Sequence, residues 1–137
     1  MQQQTAGVVV VDDNPLVVDA LRRRIALERD LKMLGALNEH DDIVRRVAEL
    51  RPDVVLMDID IPGVDGFEVV RRLGREHPDI RVVMFTGYAR KDYFEQALAS
   101  GAWGFVLKSA PTDELLDAMR KVSRGEVVIN DADDPDR

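Results

Sequence analysis

The chain has 137 residues, of which 45% are hydrophobic and 33% charged, with a formal net charge of −7. That is one domain's length with enough apolar side chains for a core, and too negative to grip nucleic acid non-specifically. It contains no cysteine, which excludes disulfides and thiolate metal sites and fits a reducing compartment. No apolar run approaches the ~18 residues of a membrane helix, and the start "MQQQTAG" lacks the parts of a secretion signal. The expectation is a soluble cytoplasmic protein with no membrane partner.

In chain order, "GVVVVDD" (7–13) reads as a buried strand, β-branched and ending on acids. Asn14-Pro15 supplies a helix cap and a first-turn proline. The helix that follows (16–28) has Val18, Leu21 and Ile25 at helical spacing. "LKMLGALN" (31–38) is a weaker second strand. The helix over 41–50 sets Ile43, Val44, Val47 and Leu50 on one side, and Pro52 stops it. "DVVLMD" (53–58) is the third strand. The turn signals Pro62-Gly63 and Asp65-Gly66 lead to a third helix, "FEVVRRLGREH". "RVVMFTG" (81–87) is the fourth strand and 90–102 the fourth helix. "GFVLKS" (104–109) is the fifth strand. The last helix (111–125) carries Leu115, Leu116, Met119 and Val122, and Gly125 closes it. The remaining "EVVINDADDPDR" (126–137) is acidic apart from "VVI" and reads as a frayed end or linker stub.

The alternation is (βα)5. Strands that are almost wholly apolar are buried on both faces, which calls for an α/β fold of three layers with a five-stranded parallel sheet. In such sheets the functional crevice lies beyond the carboxyl ends of the strands. The strand ends here offer Asp12-Asp13, Asp58, Thr86-Gly87 and Lys108. Three carboxylates drawn together repel, and each resists ionisation. A divalent cation relieves that repulsion, and hard oxygen ligands with open water positions favour Mg2+ or Mn2+. With Lys108 and the Thr86 hydroxyl added, the set suits a phosphoryl group. Asp58 is then either the nucleophile, forming an aspartyl-phosphate, or one more ligand.

With these motifs, Asp12-Asp13, "LMDIDIPGVDG", "FTG" and "GFVLK", the sequence resembles the receiver domain of a two-component response regulator over roughly residues 7 to 125. Each motif is weak alone, but their order and their places at strand ends make the set specific. The stretch "GAWGFVLKSAPTDELLDAMRKVSRGE" is similar to receivers that precede LuxR/NarL-type helix-turn-helix domains. The resemblance implies a flavodoxin-like (CheY-like) receiver over 1–125 and a separate tail over 126–137. It implies that Asp58 accepts phosphate from a histidine kinase or phosphotransfer protein. It assigns Mg2+ to Asp13, Asp58 and the backbone carbonyl of Asp60, with Asp12 acting mainly through water. Lys108 contacts the phosphoryl oxygens, Thr86 moves to grip the phosphate, and Phe105 turns inward with it. The face made by the fourth helix, fifth strand and fifth helix then changes a contact, often a homodimer. Such a chain is a signalling phosphoacceptor rather than an enzyme. It binds no nucleic acid itself and is either a stand-alone receiver that controls a partner or, as the LuxR-like last helix and linker-like tail favour, part of a longer regulator that controls transcription through a DNA-binding output domain.

The chain departs from the family pattern in three places. Lys108 is followed by Ser109 rather than proline. Position 105 is Phe, so switching there works by packing rather than a phenolic hydrogen bond. Asp60 lies two residues after the acceptor, where an acid either slows phosphorylation or orients a hydrolytic water, and Tyr88 is placed to shield the same path. The two are expected to set the lifetime of the phosphorylated state. The rival reading is a haloacid-dehalogenase-type phosphatase, from the Asp58-Ile59-Asp60 pair. It is disfavoured because the pair is on the third strand, no Thr or Val follows at the expected step, and no cap fits the length. Leu16 and Val17 fall outside the buried stripe of their helix and are candidates for kinase contact. Asp65 reads as a turn and cap, Arg22-Arg23-Arg24 as a solvated face, His40 and His77 as surface residues, and Trp103 as packing.

Overall fold

The structure is a computed structural model that describes residues 4–129. Five strands alternate with five helices: β1 (Ala6–Val11), α1 (Pro15–Ile25), β2 (Leu31–Leu37), α2 (Ile43–Leu50), β3 (Val54–Asp58), α3 (Gly66–Glu76), β4 (Arg81–Thr86), α4 (Lys91–Ser100), β5 (Gly104–Leu107) and α5 (Thr112–Ser123). The strands form one sheet in the order β2-β1-β3-β4-β5, and every pairing is parallel. The three-layer (βα)5 architecture expected from the sequence is the one observed. Among the described residues, no helix is long and apolar enough to cross a membrane.

The valine run shows why the sheet is covered on both sides. Side chains alternate along a strand, so Val9 and Val11 enter one core while Val8 and Val10 enter the other. The first core includes Val44 and Val47 of α2, Phe67, Val70 and Leu73 of α3, and Phe94 of α4. The second is closed by Leu21 and Ile25 of α1 and by Leu115, Leu116, Met119 and Val122 of α5. Leu16 is 79% exposed, as expected outside the stripe, but Val17, expected there too, is half-buried like Val18 and packs with it against the second core.

The helix starts follow local chemistry. Asn14 Oδ1 accepts the Leu16 N–H at 3.0 Å, with Pro15 in the first turn of α1. Asp65 Oδ1 accepts the N–H groups of Phe67 and Glu68, opening α3. Each carboxylate or amide oxygen satisfies donors that the helix leaves unpaired.

Some boundaries move inward from their expected places. Helix α1 ends at Ile25, and Leu27, expected inside it, is 76% exposed. Strand β1 stops at Val11 and β5 at Leu107, so Asp12, Asp13 and Lys108 sit just beyond the strands. They remain tied to the sheet, with Asp12 N–H bonded to Leu37 O at 3.1 Å and Lys108 N–H to Thr86 O at 2.7 Å. The regular pairing gives way where side chains must turn toward the crevice.

The chain after α5 turns back on the sheet. Val128 forms a parallel bridge with Gly104; its N–H bonds Trp103 O at 2.7 Å, and Phe105 N–H bonds its carbonyl at 3.3 Å. Val128 packs on the α1–α5 core and Ile129 on the other, which is strand-like alternation. Trp103 is held by Arg81, whose guanidinium stands 4.7 Å from the ring centroid while Nη1 reaches the carbonyls of Val122 and Ser123. The first residues of the expected tail thus lie against β5; residues 130–137 are outside the described residues.

Candidate functional site

The strand order reverses direction between β1 and β3, so the loops after them diverge and leave a crevice. Asp12 and Asp13 stand on one wall and Asp58 on the other. One carboxylate oxygen from each of the three lies within 4.8 Å of the others. Asp12 is 3% and Asp58 2% exposed, whereas Asp13 opens to solvent. The open cleft around them is also lined by Asp60, Tyr88 and Lys108.

Each buried carboxylate is oriented by the backbone that follows it. Asp12 Oδ1 accepts the Asn14 N–H at 2.8 Å, and Asp58 Oδ1 accepts the Asp60 N–H at 2.9 Å. Their other oxygens face Lys108, with Nζ 3.0 Å from Asp12 Oδ2 and 3.3 Å from Asp58 Oδ2. The lysine also lies 5.3 Å from the Phe85 ring centroid, which supports its stem and keeps the ammonium over the site.

One ammonium does not neutralise this set. Burial pushes the Asp58 carboxyl up from 3.8 to about 6, helped by the Asp12 charge and opposed by the Asp60 N–H and Lys108. Burial also pulls Lys108 down, but its hydrogen bond to Asp12 and the charges of Asp58 and Asp12 outweigh that, and the net shift is upward. The site therefore carries excess negative charge at low dielectric. Three hard oxygen donors, one of them solvent-open, fit a small divalent cation.

Thr86, at the end of β4, is fully buried. Its hydroxyl donates to Asp60 Oδ2 at 2.7 Å and accepts the Tyr88 N–H at 3.1 Å. Burial raises the Tyr93 pKa on α4, and the Asp60 carboxylate adds to that shift. Nothing in the sequence spacing pairs the Asp60 carboxylate with the Thr86 hydroxyl, and that contact is not legible there. Phe105 is 1% exposed and stands edge-on to Phe94, centroids 5.7 Å apart. Phe105 lies inward here while Thr86 is bonded to Asp60.

Two further features escaped the sequence. Arg24, read as part of a solvated face, instead joins α1 to α5 through Asp113 at 2.6 Å and also binds Glu28 at 2.8 Å. Arg120 on α5 binds Glu28 and Asp30 at 2.5 and 2.6 Å. Acids and bases spread over distant helices give no local signal of which will meet.

Comparison with known proteins agrees with this geometry. Residues 8–120 match the response regulator receiver domain family. The chain is 37% identical over 123 residues to response regulator GacA of Pseudomonas viridiflava, covering 90% of this chain and 58% of that protein; it thus spans little more than half of that relative. Among solved structures it is similar to a LuxR-family two-component response regulator from Aurantimonas sp. SI85-9A1, with TM-score 0.85, 28% identity, and coverage of 97% of this chain and 92% of that one. It is also similar to the signal receiver domain of the putative response regulator NarL from Mycobacterium tuberculosis, with TM-score 0.83, 28% identity, and coverage of 90% and 99%. With the sheet order, the acidic trio and Lys108 in place, these matches show that the chain belongs to the response regulator receiver domain family, among LuxR/NarL-type relatives.

Proposed function

We propose that this receiver takes a phosphoryl group onto Asp58 from a histidine kinase or phosphotransfer protein. The observation that carries the reading is the buried Asp58 carboxylate, oriented by the Asp60 N–H and facing Lys108 beside Asp12 and Asp13. An Asp58 oxygen forms the new bond to phosphorus while the bond from phosphorus to the donor imidazole breaks, and the imidazole leaves with the electron pair. The Asp60 N–H fixes the carboxylate plane and Lys108 neutralises phosphoryl oxygens. Asp12, Asp13, Asp58 and the Asp60 carbonyl would hold Mg2+ or Mn2+, which supplies the remaining charge neutralisation.

Phosphorylation then adds charge and acceptor oxygens at the lip of the sheet, drawing Thr86 toward them. Phe105 and its partner Phe94 transmit the change to the α4–β5–α5 face, which controls a homodimer or an output domain. That output domain is a DNA-binding one lying in sequence beyond this chain, as the LuxR/NarL-type relatives and the uncovered part of GacA support. The receiver works in the cytoplasm and catalyses only its own phosphorylation and dephosphorylation. The half-buried Asp60 and the exposed Tyr88 tune the lifetime of the phosphorylated form; unchanged dephosphorylation in both Asp60→Asn and Tyr88→Ala would refute that role. Leu16, exposed at the start of α1 beside the cleft, contacts the kinase. The return of Val128 to β5 supports a domain boundary after Ile129 rather than after Gly125.

The test is intact mass after incubation with acetyl phosphate and Mg2+. A gain of one phosphoryl group, ~80 Da, that vanishes in Asp58→Asn and in EDTA is expected of aspartyl-phosphate chemistry. Catalytic turnover of simple phosphomonoesters would instead favour the phosphatase reading.

A further inference from the structure

The Thr86 hydroxyl has a single proton, and here it is given to Asp60 Oδ2 at 2.7 Å rather than to Asp58. A hydroxyl bonded to a carboxylate in a buried setting is held about twice as strongly as to a neutral acceptor. The Thr86 oxygen also accepts the Tyr88 N–H at 3.1 Å, in the loop that leads to α4. Meanwhile the Asp60 backbone N–H is bonded to Asp58 Oδ1. One residue therefore touches the acceptor through its backbone and the switch hydroxyl through its side chain.

Resting on the acceptor role of Asp58, we propose that Asp60 is a positioning residue that latches Thr86. It holds the Thr86 hydroxyl in the resting state, and with it the start of the loop that leads to α4. A phosphoryl group on Asp58 recruits Thr86 only by outcompeting the Asp60 carboxylate. When Thr86 leaves, this hold on the loop between β4 and α4 is broken. The acid thus sets how readily the domain switches by acting on Thr86, a role separate from its bare charge near an anion. The two effects differ in one respect: the latch needs the Thr86 hydroxyl, and charge repulsion does not.

The experiment is a double-mutant cycle on the full chain, with beryllofluoride and Mg2+ as the phosphoryl mimic and affinity read by fluorine NMR. Asp60→Ala is expected to tighten beryllofluoride roughly tenfold, the scale of releasing a hydroxyl from a charged acceptor. In a Thr86→Val background the same change is expected to give less than about twofold, because no latched hydroxyl remains. Asp60→Asn, which keeps the shape and an acceptor, guards against misfolding and is expected to fall between. Amide signals of α4 in mimic-free Asp60→Ala are expected to move toward their positions in the beryllofluoride-bound parent. An equal gain with and without the Thr86 hydroxyl, or α4 signals unmoved by Asp60→Ala, overturns the latch while leaving the acceptor role intact. Failure of the unsubstituted chain to bind beryllofluoride at all overturns the acceptor role, and the latch with it.

Discussion

Replacing Asp58 with Asn is expected to stabilise the metal-free protein. Asp58 is 2% exposed, and its carboxyl is raised from 3.8 to about 6, chiefly by burial. A folded-state pKa above the unfolded value means that the native protein binds this proton more tightly. The contribution of Asp58 to stability therefore falls as pH rises from about 4 to about 6, and stays unfavourable above that. Each tenfold change in proton affinity is worth about 1.4 kcal/mol, which sets the ionised carboxylate's burden at about 1–3 kcal/mol near pH 8. Asn keeps an oxygen for the Asp60 N–H and leaves Lys108 paired with Asp12, 3.0 Å away. Urea unfolding in EDTA measures the difference directly. The substituted protein is expected to be more stable at pH 8, with the gap closing toward pH 4 as Asp58 in the parent protonates. A less stable Asp58→Asn at pH 8, or a gap that does not change with pH, would refute the reasoning.

Lys108→Met removes the cation shared by Asp12 and Asp58; Asp58 should then titrate above its present value by carbon-detected NMR, and acetyl phosphate labelling should slow by at least about tenfold. Ending the chain after Gly125 rather than after Ile129 removes the Val128 bridge and the packing of two half-buried apolar side chains, and urea unfolding should register a loss of about 1–3 kcal/mol. Arg120→Ala should lower the urea midpoint at neutral pH. Its hydrogen bonds hold the Glu28 and Asp30 carboxyls below their ordinary values, so this contribution is present above roughly pH 4 and is lost as pH falls through the folded-state values. A midpoint difference that persists undiminished at pH 2 would contradict the assignment.

The site was legible because a parallel sheet converts sequence position into place. Once β1, β3, β4 and β5 are read as buried strands, their carboxyl ends must share one edge, and Asp12, Asp13, Asp58, Thr86 and Lys108 meet there whatever the helices do. The caps at Asn14 and Asp65 were legible for a different reason: each acts on donors two or three residues away. What stayed hidden depends on side chains meeting across the fold. The carboxylate of Asp60 is expected toward the phosphoryl site, and it does line the cleft, but its bond to the Thr86 hydroxyl depends on how the loop after β3 meets the end of β4. Arg24 and Arg120 had several acids within reach of their length, and only the packing of α1 on α5 selects among them. The acidic composition of the tail masked "VVI", too short a run to announce a strand, yet long enough to place Val128 and Ile129 on opposite faces of the sheet edge.

The most direct test of the central claim is to locate the phosphoryl group. Borohydride reduces an acyl phosphate to the alcohol, converting a phosphorylated aspartate to homoserine, and peptide mass spectrometry then names the position. After treatment with acetyl phosphate and Mg2+, homoserine is predicted at position 58 alone. Homoserine at position 12, 13 or 60, or none anywhere in a chain whose intact mass has risen, would contradict the assignment of Asp58 as the acceptor.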